Sequence, residues 1–231
     1  MKIMLLGASG LTGQTVLPSL MAQPGVTEVI ALLRHRLKDV DDVDHNRRLQ
    51  QVIVDFEQLA SESGHFAVDG VACCLGTTRK QAGSKAGFRR VDFDYVVQAA
   101  QLAKAAGARC FSVISAQGAD PGSPIFYSRV KGEMEEALIS LNFDHLAIFR
   151  PGLLIGNREE SRPAEALFGR LAPVLDRALI GPLRRYQSTD AEQLGAAIAA
   201  ELAQALVRGD YARVSILTNE EIQRLAKAGN D

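Results

Sequence analysis

Gly7-Ala8-Ser9-Gly10-Leu11-Thr12-Gly13 directly follows the apolar run Lys2–Leu6 and opens a helical stretch that extends to about Ala22. Glycines in such a loop let the backbone turn tightly and approach a pyrophosphate, while the helix N-terminus presents free N–H groups to the phosphate oxygens. A strand before the loop and a helix after it favour pyrophosphate binding over a plain strand-to-helix turn. The loop contains no Gly-Lys-Ser/Thr, which argues against a P-loop hydrolase. We therefore predict dinucleotide contacts from Gly7, Ser9, Gly10, Leu11, Thr12 and Gly13.

Beyond this loop, short apolar runs alternate with helical patterns. The alternation predicts an α/β fold: a doubly wound parallel sheet of the Rossmann type, with its ligand crevice at the carboxyl ends of the strands. The predicted strands are Lys2–Leu6, Glu28–Leu33, Gln51–Val54, Val71–Leu75, Arg109–Ser115, His145–Arg150 and Arg213–Leu217. The later predicted helices are Phe88–Ala106, Tyr127–Leu141, Glu165–Ala178 and Asp190–Val207.

The 231 residues contain no linker, internal repeat or low-complexity tract, which predicts a single NAD(P)-binding domain over residues 1–231. The stretch 156–188 interrupts the alternation of strands and helices. We expect this stretch and the C-terminal segment to form a small cap on the substrate side of the crevice.

The composition is that of a soluble globular chain, with 47% hydrophobic and 23% charged residues. Twenty-six basic residues against 27 acidic ones give a net charge of −1, which argues against a nucleic-acid or acidic-membrane partner. The N-terminal apolar run stops at Gly7, and no later run is long enough to span a membrane, so we expect neither a signal peptide nor a membrane segment.

The three cysteines, Cys73, Cys74 and Cys110, lie in apolar runs. Their odd number and their surroundings indicate buried free thiols in a reducing compartment, so we expect a cytoplasmic location. The four histidines are scattered singly, without the spacing of a zinc site, and no metal is predicted.

The residues after the second and third strands bear on the choice of cofactor. Arg34-His35-Arg36 ends the second strand, where a carboxylate would bind the ribose 2′-hydroxyl of NADH and an arginine suits the 2′-phosphate of NADPH. Arg34 and Arg36 therefore favour NADP(H) over NAD(H), although a basic turn in solvent is the alternative. Asp55-Phe56 follows the third strand; Asp55 suits the adenine amino group, or else caps the helix that follows.

Tyr127 and Lys131 lie at positions i and i+4 of a predicted helix and therefore share one of its faces. A nearby ammonium lowers the pKa of a phenol from its reference value of about 10, which allows the hydroxyl to exchange a proton with a substrate oxygen. The lysine also suits the hydroxyls of the nicotinamide ribose. We predict that both residues are catalytic and that both contact the cofactor.

Two further segments complete the predicted site. Ser115 ends the fifth strand, where a hydroxyl would bind the substrate carbonyl, unless it caps the following turn. Arg150 precedes Pro151-Gly152-Leu153, and we expect the backbone of those three residues to lie beside the nicotinamide amide; the alternative is a simple proline turn.

These motifs resemble those of the atypical short-chain dehydrogenases/reductases, and more closely those of the Tat-interactive-protein-type oxidoreductases. The resemblance covers most of the chain and rests on the glycine loop 7–13, Cys73–Thr78, Val91–Tyr95, Tyr127–Lys131, and Arg150–Gly152 followed by Glu160–Pro163. It implies a Rossmann-like fold, bound NADPH, and a tyrosine–lysine pair that serves proton and hydride exchange with a carbonyl or an alcohol.

By position, the resemblance assigns Gly7, Gly10 and Gly13 to the phosphate loop and Arg34 to the 2′-phosphate. It assigns Leu75, Gly76 and Thr77 to the loop beside the adenosine ribose. Asp92 stands where many relatives carry an asparagine. In some relatives the active hydroxyl falls at the position of Ala116, a register that would leave carbonyl activation mainly to Tyr127.

Two classes of function fit these patterns. The first is an NADPH-dependent reductase of a small carbonyl compound, which the intact Tyr-x-x-x-Lys motif favours. The second is a regulator that senses NADP(H) and binds a protein partner with little or no turnover. Many relatives form homodimers through the helices at Phe88–Ala106 and Tyr127–Leu141, whose apolar stripes would equally pack on the chain's own sheet.

Overall fold

The computed structural model describes residues 1–38, 48–156, 187–209 and 212–228. The described part contains a main sheet of seven parallel strands in the order β3-β2-β1-β4-β5-β6-β9, and a small sheet in which β7 pairs with β8. The strands are β1 (Lys2–Leu6), β2 (Glu28–Leu33), β3 (Leu49–Ile53), β4 (Gly70–Cys73), β5 (Cys110–Ile114), β6 (His145–Arg150), β7 (Leu154–Ile155), β8 (Thr189–Asp190) and β9 (Val214–Thr218). The strand order reverses between β1 and β4, so the predicted doubly wound fold is confirmed.

Helices cover both faces of the main sheet. The α-helices are α1 (Leu11–Ala22), α2 (Arg79–Ala82), α3 (Lys85–Arg89), α4 (Tyr95–Ala105), α5 (Phe126–Ser140), α6 (Ala191–Arg208) and α7 (Asn219–Ala228). A 3₁₀ helix spans Phe56–Phe66, and a π-helical turn at Arg90–Asp94 joins α3 to α4. None of the described helices is long and apolar enough to cross a membrane.

The core forms two layers, one on each face of the sheet. Ile3 and Leu5 of β1 pack with α1, α6 and α7, whereas Met4 and Leu6 pack with the 3₁₀ helix, α4 and α5. Because both faces are covered, the central strands are mostly apolar on both sides, which is the pattern that predicted the parallel sheet.

Two features of this fold differ from the sequence prediction. The predicted helix Phe88–Ala106 is interrupted by the π-helical turn, because apolar periodicity does not reveal one extra residue in a turn. The 3₁₀ helix and α7 were not predicted. The predicted helix Glu165–Ala178 and the stretch 156–188, apart from 156 and 187–188, lie outside the described residues. Of the C-terminal segment assigned to the same cap, Val214–Thr218 instead pairs with β6 in the main sheet. The cap over the crevice and the single domain stay predictions.

The N-terminus of α1 lacks the side-chain cap that α3 and α6 have. Ser84 caps α3 by accepting the N–H of Gly87 (2.9 Å), and Asp190 caps α6 by accepting that of Glu192 (2.7 Å). The N-cap of α1 is Gly10, which has no side chain to occupy the first amides. The N-terminus of α1 therefore keeps its capacity to bind an external acceptor.

Candidate functional site

The glycine loop lies at the carboxyl end of β1, where the strand order reverses. Gly7 has a φ of 79°, and a Cβ at this residue would lie 2.7 Å from the carbonyl carbon and oxygen of Cys74. A Cβ on Gly13 would lie 2.0 Å from the carbonyl oxygen of Gly7. The loop and the first turn of α1 are thus packed more closely than any side chain at these two positions would permit.

The N-terminus of α1 fits an anionic ligand. Ser9 and Gly10 are exposed, and no acidic residue lies in the first turn. The first N–H groups of a helix have no intrahelical acceptors, so those of the Leu11–Gly13 turn are suited to pyrophosphate oxygens. The residues present therefore fit a dinucleotide at this end of the sheet.

The residues predicted to contact the adenosine half differ in exposure. Arg34 and Arg36 follow β2 and are exposed. Asp55 accepts the N–H of Glu57 (2.9 Å) and caps the 3₁₀ helix, whereas Phe56 is buried and stacks against Tyr95 at a centroid distance of 5.6 Å. The capping alternative for Asp55 is thus present, and its contact with adenine stays a prediction.

Lys131 forms a buried ion pair with Asp92. The distance from Nζ of Lys131 to Oδ1 of Asp92 is 2.8 Å, and the two side chains are only 4% and 2% exposed. The ammonium also donates to the carbonyl oxygen of Ile114 (3.2 Å), while Oδ2 of Asp92 accepts the N–H of Thr77 (2.9 Å). Burial lowers the pKa of Lys131, but the Asp92 carboxylate and, to a smaller extent, Tyr127 and Cys73 raise it, and the net shift is upward.

The resemblance placed Asp92 where many relatives carry an asparagine, but sequence reasoning did not predict its ion pair with Lys131. The π-helical turn at Arg90–Asp94 places Asp92 between Lys131 and the loop after β4 that contains Thr77. The available signal was a buried acid within an apolar helical pattern, and a buried carboxylate requires a partner. The structure thus joins two segments that the sequence analysis treated separately, the ribose-side loop and the catalytic helix.

Tyr127 is the second residue of α5, with 39% of its surface exposed, and its ring packs against Phe88 at a centroid distance of 5.6 Å. Burial of the remainder raises the pKa of its phenol, Lys131 lowers it, Asp92 raises it, and the net shift is upward. The lowering effect predicted for Lys131 is therefore present, but desolvation and the Asp92 carboxylate outweigh it.

Ser115 is buried, and its hydroxyl donates to the carboxylate of Glu135 on α5. The same carboxylate binds Arg150 through two hydrogen bonds, one of them 2.9 Å between Nε and Oε1. Glu135 lies four residues after Lys131 and on the same face of α5. The structure therefore directs the Ser115 hydroxyl proton toward Glu135, and its predicted contact with a substrate carbonyl stays a prediction.

The segment after β6 is held by contacts within the fold. The N–H of Gly152 donates to Oγ1 of Thr189 (2.9 Å), and the carbonyl of Leu153 accepts the N–H of Thr189 (2.9 Å). Pro151 is buried, whereas the Leu153 side chain is 57% exposed. These two backbone groups are thus engaged, and the predicted contacts of Pro151, Gly152 and Leu153 with the nicotinamide amide are untested.

In the described part of the chain, no group of three or more metal-ligating side chains lies close enough to hold an ion.

Comparison with known proteins identifies the family. A family model described as NAD(P)H-binding matches residues 7–166. Protein HTATIP2 of Rattus norvegicus is 43% identical over 167 residues, which make up 72% of this chain and 68% of the relative. The resemblance to the Tat-interactive-protein type is therefore confirmed.

Fungal relatives correct the predicted location. Protein fmp52, mitochondrial, of Emericella nidulans is 37% identical over 168 residues, covering 72% of each chain. Protein FMP52, mitochondrial, of Candida albicans is 28% identical across the full length of both chains. These names point to mitochondria, so the cytoplasmic expectation is wrong; three buried or half-buried thiols indicate reducing surroundings but do not specify a compartment.

Solved structures share the fold at low sequence identity. The UDP-Glc/GlcNAc 4-epimerase of Campylobacter jejuni gives a TM-score of 0.71 at 14% identity, covering 100% of this chain and 84% of that one. A putative NAD-dependent epimerase/dehydratase of Bacillus halodurans gives 0.66 at 17% identity, covering 99% of both chains. The chain thus belongs to the NAD(P)H-binding family of Rossmann-like proteins, in the branch related to HTATIP2 and FMP52.

Proposed function

We propose that this protein is an NADPH-dependent oxidoreductase that reduces a small carbonyl compound. The observation that carries the proposal is the position of Tyr127 and Lys131: both lie on one face of α5, at the same edge of the sheet as the glycine loop. The dinucleotide supplies a hydride when bound. Tyr127 then gives its proton to the substrate oxygen, while Lys131, held by Asp92 and Ile114, presents its remaining N–H to a ribose hydroxyl.

The choice of NADPH rests on the end of β2. Arg34 and Arg36 are exposed there, and no acid stands between Leu33 and Leu37 to bind a ribose 2′-hydroxyl. A guanidinium forms planar, charge-assisted hydrogen bonds with a phosphate. The preference for NADP(H) and the small carbonyl substrate are both parts of the proposal.

Fluorescence titration with NADPH and NADH tests the cofactor assignment. Wild type is expected to bind NADPH more tightly, and Arg34→Ala should weaken NADPH binding about tenfold, which corresponds to about 1.4 kcal/mol, without changing NADH binding. Lys38→Ala, an exposed cation a few residues further on, is the matched control. Equal binding of the two dinucleotides by wild type would refute the assignment.

A second candidate function is a sensor of NADP(H) that binds a protein partner with little turnover. It is favoured by the engagement of both auxiliary groups, because Asp92 neutralises Lys131 and Glu135 binds the Ser115 hydroxyl. A panel of small aldehydes and ketones, assayed by NADPH consumption with wild type and Tyr127→Phe, separates the two. Turnover that disappears in the variant supports the enzyme, and NADPH binding without turnover of any compound supports the sensor.

A further inference from the structure

The groups around Lys131 form a closed electrostatic cluster. Asp92 of the π-helical turn lies 2.8 Å from the ammonium, the buried Cys73 of β4 interacts electrostatically with both, and Tyr127 lies one helical turn earlier on α5. Burial raises the pKa of the Cys73 thiol to about 12, so it adds no charge at physiological pH. Asp92 and Lys131 therefore cancel, and the cluster is neutral when the phenol carries its proton.

We propose that Asp92 is a positioning residue that keeps the Tyr127–Lys131 pair fully protonated and thereby suits the site to proton donation, that is, to carbonyl reduction rather than alcohol oxidation. The inference rests on the proposed function and deepens it. In the reductive direction the O–H bond of Tyr127 breaks, its proton passes to the substrate oxygen as the carbonyl carbon accepts hydride, and the phenolate regains a proton from water. Oxidation of an alcohol would need the phenolate at the outset.

The geometry explains why the phenolate is disfavoured. Burial of the Tyr127 ring disfavours its charged form most, and an ionised Tyr127 would also face the Asp92 carboxylate, which opposes the favourable effect of Lys131. Two hydrogen bonds fix the carboxylate, one from Lys131 and one from the backbone N–H of Thr77 (2.9 Å). An asparagine at position 92 would keep an acceptor for Thr77 but would leave the ammonium as the dominant charge beside the phenol.

Ultraviolet titration of tyrosinate tests this inference without any substrate. Subtracting the titration of Tyr127→Phe from that of the parent isolates Tyr127 from the other three tyrosines. In wild type we expect Tyr127 to ionise at higher pH than a free phenol, and in Asp92→Asn at lower pH than in wild type. Asp94→Asn, the same substitution at an exposed position of the same turn, should leave the titration unchanged.

Two results would overturn the inference. One is coincident titration of Tyr127 in wild type and Asp92→Asn. The other is ionisation of wild-type Tyr127 at or below the value of a free phenol, a measurement that decides the question even when Asp92→Asn does not fold. NADPH titration of the wild type keeps the proposed function separate, because a wild type that binds no NADPH refutes that function and leaves the tyrosinate result readable.

Discussion

Replacing Gly13 by alanine tests the tight contact between the glycine loop and α1. The new methyl group would lie 2.0 Å from the carbonyl oxygen of Gly7 and 2.7 Å from Cα of Ala8, whereas ordinary contacts begin near 3.4 Å. Both neighbours are backbone atoms, so the clash is relieved only when α1 moves away from the loop by about 1.4 Å, a shift of the size that overpacked cores resist.

The opposite side of α1 prevents that movement. Oγ1 of Thr15 donates to the carbonyl oxygen of Ala191 (2.7 Å), and a Cβ on Gly195 of α6 would lie 2.4 Å from the same Oγ1. Since α1 is held on both sides, we expect Gly13→Ala to lower the free energy of unfolding by about 3 kcal/mol, the upper end of the range for overpacked cores. For a chain of this size that corresponds to a Tm lower by about 6–12 °C.

Thermal unfolding followed by circular dichroism measures the effect on stability, and fluorescence titration with NADPH measures the effect on dinucleotide binding. Gly13→Ala should lower the Tm and weaken NADPH binding at least about tenfold, because the first-turn amides leave their positions. Gly10→Ala is the matched control: its Cβ meets only the Gly7 carbonyl at 3.3 Å, and its φ of −81° suits alanine. This control should change the Tm little, yet it places a methyl group at the exposed phosphate face and should still weaken binding. An unchanged Tm in Gly13→Ala would refute the reasoning.

Two more predictions concern buried charge pairs. Burial lowers the pKa of His145, but its hydrogen bond with Glu201 raises it, and the net shift is upward. The pair therefore stabilises the folded protein fully below about pH 6.5, the pKa of an unfolded histidine. This stabilisation is lost as the pH rises through the higher pKa of His145 in the folded state. The Tm of wild type should therefore fall as the pH rises above about 6.5. If a Glu201→Gln variant showed the same pH dependence of Tm, the His145–Glu201 pair would not be its cause. Arg150→Met should cost about 2–3 kcal/mol by leaving the Glu135 carboxylate without its bidentate partner, although Arg150 keeps 26% exposure. Adding Glu135→Leu should restore much of that loss in urea unfolding, whereas additive losses would show that the two residues are not coupled.

Local sequence patterns were sufficient for much of the fold. The glycine loop appears directly after β1, and the predicted C-terminal strand Arg213–Leu217 is found one residue later, as Val214–Thr218. The boundaries of β4 and β5 shifted by one or two residues, because strand ends are set by which backbone groups find partners in neighbouring strands. The π-helical turn escaped prediction because its one extra residue changes the spacing of apolar residues along the helix only slightly.

The candidate site was less accessible from sequence. The i to i+4 spacing of Tyr127 and Lys131 correctly predicted a shared face of α5, since that spacing depends only on helical geometry. The predicted lowering of the Tyr127 pKa by Lys131 is present, but the net shift is upward because it also depends on burial and on Asp92, 35 residues away in sequence. The hydrogen bond of Ser115 to Glu135 was equally invisible, since no local rule relates the end of β5 to the third turn of α5.

By itself, the sequence determined what neighbouring residues dictate: a loop too tight for side chains, alternating strands and helices, and a phenol one turn from an ammonium. Tertiary structure alone decided the protonation of that pair, because the counter-charge, the desolvation and the acceptor at Ile114 come from separate segments that meet only when the sheet and its helices assemble. Steric and periodic rules act along the chain, whereas electrostatic energies depend on distance and burial in space.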